Sequence, residues 1–245
     1  MSSYQALDAT KIVETLRTLE QRIARRFPTP DLAAVCRSLI AIGERTHGNA
    51  EAIAAPNWLL RILVYVAVAV AAGLAALAYL GWKLDVRVGH AEVFGFFEGV
   101  DAAVHITAVV GAALLFATAA DERIKRRRAL RELHVFRSIA HVIDMHQLTK
   151  DPGSLLGNDQ PPGAAPERTM TPSELTRYLD YCSEMLSLTS KLAALYAQVL
   201  PDAVVIDAVN EIENLTANFS RKVWQKISIV ESLAAPAPAP ASATR

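Results

Sequence analysis

One stretch constrains this chain more than any other. From Ile62 to Trp82 there is no Asp, Glu, Lys, Arg or His. At about 1.5 Å rise per residue, a helix through this run is long enough to cross a hydrocarbon core of about 30 Å. Trp58 stands before it, and Tyr79 and Trp82 close it, the aromatic pattern that a membrane interface favours. Arg61 lies within reach of headgroups by snorkelling. A helix that is apolar all round needs either lipid or a large protein core to cover it. A chain of 245 residues offers no core of that size. A transmembrane helix is therefore expected over residues 58–82.

A second apolar run extends from Val104 to Ala120, interrupted only by His105, with Phe94, Phe96 and Phe97 ahead of it. It is read as a second transmembrane helix over 100–120. Between the two lies a short extracytoplasmic loop, 83–99, whose Lys83-Leu-Asp-Val-Arg-Val-Gly-His90 alternates with period two like an extended segment. Orientation follows from the basic residues. Arg123, Lys125, Arg126, Arg127, Arg128 and Arg131 follow the second run, whereas the loop holds only Lys83 and Arg87. Positive-inside counting places both termini in the cytoplasm. The same six residues are expected to anchor topology and to bind anionic headgroups of the bilayer. The N-terminus is polar and lacks the basic start and early apolar core of a signal peptide.

The rest of the chain reads as amphipathic helices. Residues 1–57 hold two. Over 5–27, Ile12, Leu16, Leu19, Ile23 and Phe27 form a stripe that Pro28 ends. Over 31–47, Thr29 is the expected N-cap and His47-Gly48-Asn49 the expected end. Residues 121–149 form a basic juxtamembrane helix. Residues 150–170, rich in Pro and Gly, read as a flexible linker. Residues 171–233 form a helical hairpin opened by a capping box at Thr171-Pro-Ser-Glu174 and broken at Pro201-Asp202, with an apolar stripe of Leu175, Leu179, Cys182, Leu186, Leu192, Leu195 and Val199 before the break and of Val209, Ile212, Leu215, Phe219, Val223, Ile227 and Val230 after it. Residues 234–245 read as a disordered Ala/Pro tail. The expected fold is all-α: a two-helix transmembrane hairpin with a cytoplasmic helical bundle formed by the N- and C-terminal helices.

Several residues bear on chemistry. Glu98, Asp101 and His105 are spaced three and four apart and share one helix face at the outer end of the second run. Ionisable groups at that depth are costly, which makes them a candidate intramembrane polar cluster. His134, His141 and His146 show no spacing of a helical zinc site; His134, Arg137, His141 and Asp144 share a polar helix face that reads as solvated, a pH-sensitive His141–Asp144 pair being the alternative. Cys36 and Cys182 have no second ligand nearby and read as buried thiols. Asn210, Asn214 and Asn218 recur every four residues, a pattern that can fix helix register. Small residues repeat at four-residue steps in both runs, as in Ala69 with Gly73 and Thr107 with Gly111, a spacing that allows close helix packing.

No spacing matches a catalytic, cofactor or metal signature, so no enzyme activity, cofactor or metal is expected. Net charge is zero, and no aromatic or Gly pattern supports nucleic-acid binding. The Ala-rich, Arg-over-Lys composition points to a GC-rich bacterium and hence to its inner membrane. The expected function is that of a self-associating, membrane-anchored interaction, scaffold or signalling protein with a protein partner on its cytoplasmic helices. The alternative is an oligomeric small channel, transporter component or pore-forming effector.

Overall fold

The computed structural model describes residues 6–27, 31–55, 58–83, 90–150 and 170–234. All regular structure among them is α-helical: α1 (Ala9–Arg26), α2 (Asp31–Ala54), α3 (Trp58–Lys83), α4 (His90–Leu148), α5 (Pro172–Val199) and α6 (Ala203–Ala234). The all-α expectation holds. Thr29 with its flanking prolines, residues 151–169 of the linker and the tail from 235 onward fall outside the described residues.

Two boundaries differ from the sequence reading. α2 does not stop at His47-Gly48-Asn49 but continues to Ala54. The reason is visible in its buried side: Ile42 and Thr46 are followed by Ala50 and Ile53, so the stripe that pays for the helix carries on past the glycine. The second correction concerns the loop 83–99. Residues 84–89 lie outside the described set, but from His90 onward the chain is helix and stays so to Leu148. Gly95 and Gly99 cost only about 1 kcal/mol each relative to Ala, too little to break a helix supported on both sides. The expected loop end, second span and juxtamembrane helix are one element.

The chain divides into two compact units, Ala55–Arg127 and a discontinuous one made of Met1–Ala54 and Arg128–Arg245. The discontinuous unit is a five-helix bundle of α1, α2, the α4 segment from Arg128, α5 and α6. Its contacts fix the direction of each helix. α1 and α2 are antiparallel, with Arg17 on Glu44 at 2.6 Å and Arg37 on Glu20 at 2.9 Å. α1 and α5 are antiparallel: the Leu7 amide donates to Gln198 Oε1 at one end, and the Phe27 ring meets Tyr178 edge-on at the other. α4 is antiparallel to α5, with Phe136 against Tyr196 and Lys150 over Tyr178. α4 is parallel to α6, with Arg137 near Glu211 and Gln147 near Lys226.

These directions bring the end of α2 and residue Arg128 of α4 to the same end of the bundle. Asn49, Ala52 and Ile53 share a cleft there with Arg128, Arg131 and Glu132. The chain therefore leaves the bundle and re-enters it side by side, with residues 55–127 between.

α5 is the central helix. Tyr178, Leu179, Tyr181, Cys182, Met185 and Leu186 are all buried, around most of its circumference. Its start is fixed by the expected capping box: Thr171 Oγ1 accepts from the Glu174 amide at 3.3 Å, and the Glu174 carboxylate accepts from the Thr171 amide at 2.9 Å. α6 buries Val205, Val209, Ile212, Thr216, Phe219, Val223, Ile227 and Val230, a single stripe at steps of three and four. α1 starts on Asp8, whose carboxylate accepts from the Thr10 and Lys11 amides.

The other unit comprises α3 and the first part of α4. Its large apolar side chains are exposed, including Tyr65, Leu77, Leu115 and Phe116 at about 70% or more. Gly73 and Gly111 face open space, so these two small-residue positions are not where the two helices touch. Among the described residues no helix is long and apolar enough to cross a membrane.

Candidate functional sites

Helical spacing brings Asp101 and His105 together. His105 Nδ1 lies 2.9 Å from the Asp101 carbonyl oxygen and 3.5 Å from its carboxylate, and both side chains are about three-quarters exposed. The Glu98 side chain lies outside the described set, although its backbone belongs to the same helix. An exposed ion pair of this kind contributes at most about 1 kcal/mol. Among the described residues no group of His, Cys, Asp and Glu is placed to hold a metal ion.

The basic segment separates into two kinds of residue. Lys125 is largely buried and pairs with Asp121 at 2.9 Å, so its charge is met within its own helix. Arg126 is half-buried, whereas Arg123, Arg127, Arg128 and Arg131 are exposed. Arg128 and Arg131 line the cleft at the end of α2, which has a volume of about 280 Å³.

A buried polar group sits at the far end of the bundle, under the last turn of α4. Gln147 is fully buried, and its amide donates to the Asp144 carboxylate at 2.5 Å. Lys226 of α6 donates to the Gln147 carbonyl at 2.7 Å and to the Lys150 carbonyl at 3.4 Å. This lysine adds a charged donor to the C-terminal carbonyls of α4, where the Gln147 carbonyl also accepts from the Lys150 amide at 3.3 Å. Gln147 Oε1 is buried without a hydrogen-bond partner among the described residues. The alternative pairing of His141 with Asp144 is not formed. His141 instead packs its ring edge-on against Phe219 at 5.4 Å, and Asp144 is taken by Gln147. Sequence spacing alone could not find the lysine cap, because Lys226 and Gln147 belong to different helices.

Both thiols are inert as nucleophiles. Burial, and then the nearby Glu20 carboxylate, push Cys36 up to about 12. Burial pushes Cys182 to about 12, with Lys226 pulling back. Cys36 Sγ donates to the Leu16 carbonyl at 3.6 Å. The Tyr196 phenol is raised to about 12 by burial. Thr46 lies near enough to lower it, but the Tyr196 hydroxyl makes no hydrogen bond of good geometry, and Thr46 donates to Ile42 instead.

Asn210, Asn214 and Asn218 are all exposed, so they fix no register inside the bundle. Asn218 Oδ1 accepts from Arg221 at 2.9 Å. At the start of α5 a second cleft of about 410 Å³ is lined by Arg26, Thr176, Arg177 and Glu231 among others. Its cations are partly met, since Arg177 pairs with Asp180 at 2.9 Å.

No protein-family model, curated protein or solved structure matches this chain.

Proposed function

We propose that this chain is a membrane-anchored helical interaction protein: residues 55–127 form a hairpin in a bilayer, and the bundle is held at the cytoplasmic surface as a self-associating scaffold. The observation that carries the reading is the side-by-side exit and return at the ends of α2 and Arg128. A hairpin whose two arms start together is the geometry needed to insert an apolar excursion into a bundle without distorting it. Two further facts support it. The run Ile62–Trp82 has no charged residue, and among the described residues many large apolar side chains of α3 and of the first part of α4 are exposed. Water penalises such a surface, whereas lipid accepts it.

Self-association is supported by apolar residues left outside the bundle. Val204, Ile206, Trp224, Ile229 and Leu233 of α6 are exposed, as are Val142 and Met145 of α4. A scaffold displays such surfaces to other chains. The absence of an enzyme activity belongs to the same proposal: both thiols are held protonated by burial.

Carbonate extraction and cysteine labelling test the anchor. The protein is expected to stay with carbonate-washed membranes. A Gly89→Cys variant should be labelled from outside intact cells, and Ser3→Cys and Ser242→Cys should be protected. Release by carbonate refutes insertion, and the reverse labelling pattern refutes the orientation.

The Asp101–His105 pair favours one second reading, an oligomeric pore whose mouth these residues line with Glu98. Cation flux in reconstituted vesicles that is abolished by Glu98→Gln with Asp101→Asn would replace the scaffold reading. Flux at background level retains it.

A further inference from the structure

We infer that the cleft formed by Asn49, Ala52, Ile53, Arg128, Arg131 and Glu132 binds the phosphate of a membrane phospholipid headgroup. The inference deepens the membrane reading and rests on it for the source of the phosphate.

The first support is the state of the two arginines. Arg128 and Arg131 stand three positions apart, which on a helix puts them on one face. Among the described residues neither makes an ion pair or hydrogen bond. This holds despite two partners within sequence or spatial reach. Glu132 stands four residues after Arg128, a spacing that favours a pair, yet no such pair forms. The α2 C-terminus has no basic residue in its last turn, and its carbonyls would welcome a cation, yet neither guanidinium caps them. Two cations turned into one cleft and bonded to nothing there are the arrangement that a phosphate fills, because guanidinium groups meet phosphate oxygens in pairs of parallel hydrogen bonds.

The second support is the rest of the lining. Ile53 and Ala52 give an apolar wall suited to the glycerol and first acyl carbons. Asn49 brings an amide, and Glu132 an acceptor for a headgroup hydroxyl or ammonium. The net charge of the lining stays positive.

The third support is place. The cleft lies at the bundle end from which the chain leaves for residues 55–127 and to which it returns. If those residues enter a bilayer, this end of the bundle is the one at headgroup depth. A diffuse basic patch attracts anionic lipid from any side. A cleft at this end holds one headgroup in one orientation.

Native mass spectrometry of the full-length protein released from phosphatidylglycerol and phosphatidylethanolamine nanodiscs tests the inference. The wild type is expected to retain bound phospholipid. Arg128→Gln with Arg131→Gln should reduce retention roughly tenfold or more, as expected for two lost charge-assisted contacts. Both arginines are exposed, so helical content and thermal midpoint should stay at wild-type values. Arg25→Gln with Arg221→Gln removes the same charge at exposed positions outside the cleft and the basic segment, and should leave retention within about twofold. Equal loss in both double variants overturns the cleft in favour of diffuse attraction. Displacement of the lipid by millimolar inorganic phosphate overturns the lipid source and assigns the site to a soluble phosphate. If carbonate releases the protein, the membrane reading fails by itself. Titration of the released protein with glycerol phosphate then tests the cleft separately: no heat that depends on Arg128 and Arg131 overturns it.

Discussion

Two glycines of the same helix offer a sharp test of the bundle. Gly43 and Gly48 both lie inside α2, so alanine at either gains about 1 kcal/mol of helix propensity. They differ in what the new methyl group meets. At Gly48 it meets nothing within 4 Å. At Gly43 it comes 3.0 Å from Val13 Cγ2 and 3.3 and 3.4 Å from the two Leu192 methyls. Val13 and Leu192 are both buried, so neither can swing clear without disturbing α1 or α5. Overpacking of this kind costs about 1–3 kcal/mol. Gly48→Ala is therefore expected to stabilise the bundle by about 1 kcal/mol. Gly43→Ala should be neutral to destabilising, by up to about 2 kcal/mol once propensity is subtracted. In a unit of this size each kcal/mol moves the thermal midpoint by about 2–4 °C. Thermal unfolding of the full-length protein, followed by far-UV circular dichroism, should show the two variants moving apart. A Gly43→Ala midpoint raised as much as that of Gly48→Ala would refute the close approach of α1, α2 and α5.

Other perturbations test other layers. Phe219→Asp, which puts a carboxylate at a site 6% exposed, should cost at least about 3 kcal/mol of bundle stability in urea unfolding; an unchanged midpoint would mean that this stripe faces solvent. Thr171→Ala, which removes one half of the capping box, should cost about 1 kcal/mol, and a loss confined to α5 amides in hydrogen exchange would locate it. Lys226→Met should release the last turn of α4 and speed amide exchange there, because no other described side chain reaches those carbonyls. The thiols set a pH dependence. Both are shifted up from 9.0 to about 12, so the unfolded chain loses these protons first. Stability is then fully present below about pH 9 and falls as pH rises toward 12. Cys36→Ala with Cys182→Ala should make that alkaline slope shallower, the buried Tyr196 phenol supplying part of what remains, and an unchanged slope would refute the assignment.

What could be read in the sequence was whatever repeats along one helix. The stripes of α1 and α6 and the capping box at Thr171 needed only periodicity and a four-residue motif. The stripe of α5 was legible in part: Leu175, Leu179, Cys182, Leu186, Leu192 and Leu195 stood out, but Tyr178, Tyr181 and Tyr196 did not. A central helix is covered on most sides, and a phenol ring buries there as readily as leucine, so a one-sided pattern undercounts it. In α6 the small Thr216 is buried in place of the larger Leu215, because its hydroxyl is satisfied by the Ile212 carbonyl at 2.9 Å. The end of α2 was missed because a glycine was weighed as a stop signal, while the next turn still carried Ala50 and Ile53. Of the candidate sites, the Asp101–His105 pair was legible because it is local. The cleft of Arg128 and Arg131 was not. Half of its lining comes from α2, and no spacing within one segment announces that α2 ends beside Arg128.

That adjacency has a consequence for how the protein is made. α1 and α2 leave the ribosome first, yet their main partner, α5, follows only after residues 55–127 and the rest of α4. Until then the two helices can bury only what they offer each other, and Leu19, Ile23 and Leu39 have no central helix to close over them. Joining the ends of so long an insert costs a flexible chain roughly 3–4 kcal/mol in loop-closure entropy. A hairpin that has already formed removes most of that cost, because it presents the end of α2 and the start of the Arg128 segment together. An insert whose two ends already lie together leaves α5 and α6 only the bundle itself to close, whereas an insert whose ends stay apart leaves α1 and α2 with an open apolar face.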